Sequence, residues 1–140
     1  MKKGYFGIIA EYICIIIYKL KFYQILHHRK RYYVGEIDII ALRNKEIVFI
    51  EVKARSSKID DRFVSFNQQR RITRAAEMFL SSNSKYRNYN IRFDLVVIRS
   101  YKLPIIIKMF GNTCVVAWLK KPVRCHSRVD RKSYSIVIPA

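Results

Sequence analysis

Two short segments near the middle of the chain have the two-residue period that is typical of β-strands. Residues 36–42 and 47–53 are strand-like, and four polar residues, 43–46, separate them. That spacing is typical of a tight hairpin, and Asn44 can adopt the positive φ that hairpin turns need. Lys45 stands where glycine is usual, which leaves the turn type open. The pattern predicts an antiparallel two-stranded hairpin.

Helical periods flank this hairpin on both sides. Residues 4 to about 22 are apolar around most of a helix circumference. Residues 67–82 predict an amphipathic helix, and residues 91–98 a strand buried on both faces. Residues 23–33 favour a short strand or a loop, and residues 102–110 an edge strand weakened by Pro104. The inward stripe predicted for the second helix consists of Ile72, Ala75, Ala76, Phe79 and Leu80.

The order of these elements predicts an α/β fold with a mixed sheet. An N-terminal helix precedes the antiparallel hairpin, and a crossover helix leads to a further strand that joins in parallel. We expect residues 1–110 to form one domain. Residues 111–140 show no sustained period and are expected to be an irregular extension.

The hairpin register brings four polar side chains together. If residues 44–45 form the tip, Asp38 lies directly opposite Glu51, and Glu36 lies opposite Lys53. Side chains two apart on a strand share a face, so all four are expected on one side of the ribbon. The alternative is a solvated polar face with Glu36 and Lys53 as an ion pair, and spacing alone favours neither.

Two opposed carboxylates point to a cation. Asp38 and Glu51 repel each other unless a positive charge lies between them. Mg²⁺ binds one or two protein carboxylates and keeps several waters, one of which can attack a phosphodiester. Lys53 beside them can hold the attacking water or stabilise the transition state. The spacing is therefore consistent with metal-dependent phosphodiester hydrolysis.

The composition of the chain predicts a polyanionic partner. The chain has 28 Lys and Arg against 10 Asp and Glu, a net charge of +18. Nucleic acid is the first candidate, because neutralising phosphates releases counterions; a generally basic proteome is the alternative. Seven residues are candidates for phosphate contacts, and Tyr32 or Tyr33 for stacking on an unpaired base. The seven are Arg29, Lys30, Arg31, Arg55, Arg70, Arg71 and Arg74.

The cysteines, the histidines and the N-terminal segment bear on the cellular compartment, on metal binding and on membrane association. Three cysteines without C-x-x-C spacing argue against a disulfide framework or structural zinc and favour a reducing, cytoplasmic compartment. His27 and His28 are expected to be surface residues rather than metal ligands. Glu11 interrupts the N-terminal apolar run, so a buried helix is preferred over a signal or membrane anchor. We expect no membrane partner, and a homodimer stays open.

The hairpin motifs resemble those of the YraN-like family, a bacterial group assigned to the PD-(D/E)XK nuclease superfamily. Residues 35–41, GEIDIIA, and 48–55, VFIEVKAR, carry the resemblance, which covers roughly residues 4–100. Further matches lie in both helices and in the strand after the second helix, at Ala10-Glu11, Gln69-Arg70-Arg71-Ile72 and Arg92-Phe93-Asp94. The resemblance implies a restriction-endonuclease-like core, related in fold to archaeal Holliday junction resolvases.

Site roles also follow from the resemblance. It implies Asp38 and Glu51 as ligands of Mg²⁺ or Mn²⁺ and Lys53 as the catalytic lysine. Glu11 would complete the metal site, which also explains a carboxylate in an apolar helix. Glu36 belongs to the motif and is expected to hold Lys53 or Arg55. The implied activity is endonucleolytic hydrolysis of DNA, with branched or flapped DNA as a candidate substrate.

Two departures from the family pattern keep other functions open. Gln68 stands where the family usually carries Lys; on the inward stripe it can donate a hydrogen bond near the catalytic residues, or it merely flanks the helix. The family's usual C-terminal stretch is not found, and residues 112–140 look like a frameshifted or read-through extension. The alternatives are a catalytically silent nucleic-acid-binding protein of the same fold and a decaying gene product.

Overall fold

The structure, a computed structural model, describes residues 3–55, 65–111 and 135–137 of the 140-residue chain. These ranges contain two α-helices, one 3₁₀ turn and six β-strands. The elements are α1 Lys3–Leu20, β1 Gln24–Tyr32, β2 Gly35–Arg43, β3 Glu46–Arg55, α2 Phe66–Ser81, the 3₁₀ turn Ser84–Tyr86, β4 Asn90–Arg99, β5 Lys102–Gly111 and β6 Ser135–Val137.

The described strands form one mixed sheet in the order β1-β2-β3-β4-β5-β6. Strands β3 and β4 pair in parallel, and the other neighbours pair antiparallel. Helix α2 connects the two parallel strands, as a parallel crossover requires. The predicted order of N-terminal helix, antiparallel hairpin, crossover helix and parallel strand is confirmed.

The two helices cover opposite faces of the sheet. Helix α1 buries Ala10 and Cys14 in a cluster that includes Val48 of β3. Helix α2 buries Ile72 in a second cluster that includes Phe49, the next residue of β3. Alternate side chains of β3 therefore enter different cores, and this strand lies at the centre of the molecule. Among the described residues, no helix has both the length and the apolar character needed to cross a membrane.

The tip of the β2–β3 hairpin lies where the sequence predicts it. Asn44 and Lys45 have φ angles of 47° and 58°. Two positive φ angles define the type I′ turn that suits a two-residue hairpin loop. Arg43 pairs with Glu46, which confirms the predicted register at the turn. The N–H of Asn90 donates to the Lys45 carbonyl oxygen at 2.8 Å and ties this tip to the start of β4.

Segment 23–33, predicted as a short strand or a loop, forms the nine-residue strand β1. It pairs antiparallel with β2, and its register shifts between Ile25 and His27. A bulge and charged side chains are common on an edge strand, where they discourage pairing with other molecules. The basic residues of this segment therefore stand along one margin of the sheet.

Strand β5 confirms the strand predicted for residues 102–110, but its predicted edge position is wrong, because β6 pairs with its outer side. Its pairing with β4 shifts register between Val97 and Arg99, which pair with Ile105 and Lys102. Pro104 falls within this irregularity, so its missing N–H removes no regular ladder bond.

The C-terminal extension contributes one described element. Strand β6 pairs antiparallel with residues 106–108 of β5. The sequence predicts residues 111–140 as an extension that is irregular or not native to the family, and residues 135–137 of it form a strand. For residues 112–134 and 138–140 that expectation lies outside the described residues.

Candidate functional site

Asp38 and Glu51 lie where the pairing of β2 with β3 ends. The antiparallel ladder finishes with the pair Ile39 and Ile50. Asp38 and Glu51 are the next residues on the two strands. The hairpin register therefore carries both carboxyl groups to the same end of the ladder.

The regular alternation of β2 is interrupted at Asp38. Ile37 lies in the core cluster beneath α2, whereas Ile39 lies in the cluster beneath α1. Residues two apart on a regular strand share a face, so the backbone changes orientation between them. The prediction of one shared polar face assumes regular geometry, and that geometry does not continue through Asp38. Asp38 Oδ2 instead accepts a hydrogen bond from the backbone N–H of Val52 at 2.7 Å.

The surroundings of Asp38 oppose its charge. Burial, and then the negative charge of Glu51, raise the pKa of Asp38 to about 7. Glu11 adds a smaller upward shift of this pKa, whereas the N–H of Val52 and the charge of Lys53 act in the opposite direction. Near neutral pH, the Asp38 carboxyl group can therefore lose its proton when another cation binds beside it.

Glu51 is held by two donors from different elements. This carboxylate is only 7% exposed, and its Oε1 accepts a hydrogen bond from Lys53 Nζ at 2.7 Å. Gln68 Nε2 donates to the same oxygen. The backbone N–H of Gln68 also bonds the N-cap hydroxyl of Ser65 at 3.3 Å, which fixes the start of α2 beside β3. Ser65 therefore caps the helix by accepting from the Gln68 N–H, and the Gln68 side chain contacts the site.

Glu36 has a different partner from the one expected. Its carboxylate pairs with Arg31 Nε at 3.1 Å across β1 and β2. Lys53 is directed to Glu51, and no described contact joins Glu36 to Lys53 or Arg55. The expected partnership fails because the β2–β3 ladder stops at Ile39, before Glu36 could face Lys53.

Glu11 enters the same region from α1. Its carboxylate is buried and accepts two hydrogen bonds from Arg29, at 2.8 and 2.9 Å. His28 Nε2 lies 2.6 Å from Glu11 Oε2. Burial raises the pKa of Glu11, but hydrogen bonds and charge from Arg29 and His28 outweigh it and leave the pKa lowered. Arg29 has a φ of 54°, a left-handed conformation that is uncommon for a residue other than glycine.

Glu11, Asp38 and Glu51 are not gathered into one cluster. No three His, Cys, Asp or Glu side chains within the described ranges lie close enough together to hold a metal ion. Asp38 and Glu51 alone still have suitable donor chemistry, because two carboxyl groups whose repulsion raises a pKa are stabilised by a hard cation. Glu11 is instead bound by Arg29 and His28.

The seven predicted phosphate-contacting residues fall into two groups. Arg29 and Arg31 are exposed but pair with the acids Glu11 and Glu36, and Lys30 lies over the ring of Tyr32 at 5.6 Å. The other four are exposed and have no hydrogen bond or ion pair to another described side chain. They are Arg55 at the end of β3 and Arg70, Arg71 and Arg74 on α2.

His28 is the residue that sequence reasoning missed at this site. The sequence predicts it as a surface histidine, yet it contacts Glu11 and its ring meets Tyr12 at a centroid distance of 5.5 Å. Metal-ligand spacing could not reveal this contact, because it depends on how α1 crosses β1. The only available signal is the unexplained carboxylate of Glu11 in an apolar helix.

A second buried polar network holds α1 to the sheet. Asp94 is 1% exposed and accepts hydrogen bonds from Arg92, at 2.9 and 3.0 Å, and from the hydroxyl of Tyr18 at 2.6 Å. Arg92 also donates to Glu46 and to the Tyr23 hydroxyl. Every charge in this network has a partner, as burial requires. The R-F-D motif of β4 thus anchors the last turn of α1.

Comparison with known sequences places this chain in a family. The family model described as "Uncharacterised protein family UPF0102" matches residues 10–98. A UPF0102 protein of Ehrlichia ruminantium is 43% identical over 90 residues, which is 64% of this chain and 69% of that protein. One from Chelativorans is 37% identical over 108 residues, covering 76% of this chain and 85% of that protein. The chain therefore belongs to the UPF0102 family, the YraN-like group whose motifs its hairpin carries.

Proposed function

We propose that this protein is an endonuclease that hydrolyses phosphodiester bonds of DNA in a reaction dependent on Mg²⁺ or Mn²⁺. The observation that carries the proposal is the position of Asp38 and Glu51 at the end of the hairpin ladder, with Lys53 bonded to Glu51. The pKa of Asp38, raised by burial and by Glu51, supports a cation as the natural companion of this pair. The hairpin motifs of the family support the same site.

Asp38 and Glu51 are the residues that would hold the ion. A bound divalent cation lowers the pKa of water and offsets the charge that develops on phosphate. The Val52 N–H fixes the Asp38 carboxyl group, and Gln68 and Lys53 fix that of Glu51. Both ligands are therefore oriented by neighbours on rigid elements, which favours a preorganised site.

Lys53 is the residue positioned to act on the phosphate. Its ammonium group can donate three hydrogen bonds, and Glu51 accepts one of them. The other two remain for a phosphoryl oxygen or the attacking water, where a fixed positive charge stabilises the developing negative charge. The bond to Glu51 keeps the flexible side chain of Lys53 directed at the reacting group.

The outer face of α2 is the proposed path for the nucleic acid. Arg70, Arg71 and Arg74 are exposed on the helix whose first turn places Gln68 at the site. The β1–β2 turn meets the same helix, since a Cβ built on Gly35 would lie 2.9 Å from the Arg71 carbonyl oxygen. This turn presents Tyr33, whose side chain is 89% exposed. A strand following the arginines would meet an open aromatic ring suited to an unpaired base, which favours flapped or branched DNA.

A cleavage assay tests the proposal. Linear duplex, single-stranded and four-way-junction DNA are incubated with the full chain in Mg²⁺, in Mn²⁺ or in EDTA. We expect cation-dependent cleavage that Glu51→Gln and Lys53→Met each reduce about 100-fold or more. Lys108→Met makes the same charge change as Lys53→Met away from the site, and cleavage by this variant should match wild type.

The contacts of Glu11 and Gln68 favour one alternative function. Arg29 and His28 occupy the Glu11 carboxylate, and Gln68 contributes no positive charge to the site. A catalytically silent DNA-binding protein would be consistent with both features. DNA binding without cleavage in either cation would establish that alternative and contradict the nuclease.

A further inference from the structure

Helix α1 is apolar on its outer face as well as on its inner face. The inner face buries Ala10, Cys14 and Tyr18 in the core. The outer face exposes a stripe of large apolar side chains, although a helix that is apolar all round is normally covered on both sides. We call this outer stripe the α1 seam; it consists of Tyr5, Ile8, Ile9, Tyr12, Ile16 and Leu20.

The α1 seam has the symmetry of a surface that packs against itself. Tyr5 and Leu20 lie at equal distances along the helix from the Tyr12–Ile13 peptide bond, and so do Ile9 and Ile16. In an antiparallel pair of α1 helices, a two-fold axis near Tyr12 would place Tyr5 of one copy beside Leu20 of the other. It would also place Ile9 of one copy beside Ile16 of the other. A two-fold interface requires such self-complementarity.

We propose that a second copy of this chain covers the α1 seam, with the two α1 helices packed antiparallel about Tyr12. The exposed parts of the six side chains amount to roughly 100 Å² each, or on the order of 1,200 Å² over two copies. That area reaches the lower range of stable, specific protein interfaces. The inference is independent of catalysis and does not require the nuclease proposal.

The charges near the seam favour a protein partner over a lipid surface. A helix that lies on an anionic membrane carries Lys and Arg along its polar face. The charged residues of α1 are Lys3 and Lys19 near its two ends and Glu11 between them, which is buried and bound by Arg29. The polar face that a membrane-surface helix needs is therefore replaced by contacts with this protein's own sheet.

Molar mass in solution tests the interface. Sedimentation equilibrium of the full chain, from about 1 to 100 μM, should give twice the 16.7 kDa of one copy. Ile16→Glu places a charge in the seam at a side chain that is 57% exposed, and should weaken association at least 10-fold. Leu103→Glu makes the same charge change at an exposed apolar residue on β5, outside the seam, and should leave the dimer intact. Circular dichroism confirms that each variant is folded.

Cross-linking tests the antiparallel arrangement. Two copies carrying Tyr12→Cys would place their new thiols beside the two-fold axis, within reach of a disulfide. Two copies carrying Tyr5→Cys would hold theirs roughly 20 Å apart along the helices. With Cys114 and Cys125 replaced by Ser in every protein, mild oxidation should therefore link the first variant into a dimer, while the second and the parent protein stay unlinked.

Three results would overturn the proposal. One is a wild-type monomer throughout the concentration range, and a second is a dimer that Ile16→Glu leaves unchanged. The third is equal cross-linking through positions 5 and 12, which would indicate a parallel pair. If the monomer co-sediments with vesicles of anionic phospholipid and Ile16→Glu abolishes this, a membrane surface is the occupant.

Discussion

Asp38 is held between one hydrogen bond that favours its charged form and surroundings that oppose it. The Val52 N–H stabilises the carboxylate, but burial and Glu51 raise the pKa of Asp38 to about 7. A single residue thus links the strand geometry to the electrostatics of the site. In the metal-free protein this residue costs stability, because the folded state holds a charge that the unfolded chain would keep in water.

The pH dependence of stability follows from that shift. The folded pKa of Asp38 lies above its ordinary value of 3.8, so folding takes up a proton between those two pH values. The stabilising contribution of the protonated group is complete below pH 3.8 and is lost as the pH rises through about 7. Asp38→Asn keeps a carbonyl oxygen for the Val52 N–H and removes the charge. We expect this variant, in EDTA at pH 8, to be more stable than wild type by about 1 kcal/mol, or roughly 3 °C in Tm.

Differential scanning calorimetry at pH 8 and pH 5 measures this difference. It should shrink at pH 5, where wild-type Asp38 is itself mostly protonated. Glu77→Gln removes one acid elsewhere and should give no such gain at either pH. Equal stabilities of wild type and Asp38→Asn at pH 8 would show that the carboxylate is not destabilised.

At the scale of elements, the β2–β3 hairpin sets the position of the site and carries a correctable strain. Lys45 adopts a φ of 58°, where a side chain is disfavoured and glycine is not. Its backbone carbonyl still bonds Asn90, and a substitution of the side chain leaves that bond in place. The turn therefore keeps a backbone conformation that is unfavourable for lysine at position 45.

Lys45→Gly should relieve that strain and stabilise the protein. We expect a gain of about 0.5–1 kcal/mol, because Asn-Gly is the preferred pair for a type I′ turn. Lys45→Ala removes the same charge but retains a Cβ, and its stability should not rise. Urea denaturation of the three proteins gives the comparison, and an equal gain from alanine would point to charge rather than backbone conformation.

The contact between the β1–β2 turn and α2 depends on Gly35. A Cβ there would come within 2.9 Å of the Arg71 carbonyl oxygen, so Gly35→Ala must push the turn away from the helix. We expect a loss of about 1–3 kcal/mol in the free energy of unfolding. Gly7→Ala is the matched control, because a Cβ at Gly7 meets nothing within 4 Å, and alanine favours a helix. A Gly35→Ala variant as stable as wild type would contradict this close approach.

Local pattern was enough to predict the hairpin, both helices and the parallel strand, because short connections and periodic apolar positions specify them. It could not predict the interruption at Asp38, since Ile37 and Ile39 enter different cores only once both helices are in place. Local pattern could not predict the contact of Glu11 with His28 and Arg29 either, because this contact joins α1 to β1 in the packed structure. Gln68 was predicted because the family usually carries Lys at this position and because the residue lies on the inward stripe of a regular helix.

At the scale of the whole molecule, positive charge is distributed over the described fold and the C-terminal extension alike. The family match ends at residue 98, near the end of β4, so the matched region contains the hairpin, α2 and the R-F-D strand. The arginines of α2 lie inside that region, on the helix that also carries Gln68. If the proposed function holds, we expect α2 rather than the extension to provide most of the DNA affinity.

Salt dependence can measure the contribution of α2. Fluorescence anisotropy gives the DNA dissociation constant over a range of NaCl concentrations, in EDTA to prevent cleavage. Replacing Arg70, Arg71 and Arg74 together with Gln should reduce the slope of log K against log salt by about 2–3, close to one for each phosphate that the variant no longer neutralises. Arg87→Gln, an exposed arginine after the 3₁₀ turn, should change the slope little. An unchanged slope in the triple variant would place DNA elsewhere.

The most direct test of the central claim is the binding of a divalent cation to Asp38 and Glu51. Isothermal titration calorimetry with Mn²⁺ should show binding to the wild-type chain that is lost in both Asp38→Asn and Glu51→Gln and retained in Glu77→Gln. The apparent affinity should fall as the pH drops below about 7, since protons then compete for Asp38. Binding that persists unchanged in Asp38→Asn and Glu51→Gln, or no binding by the folded wild type, would contradict the account.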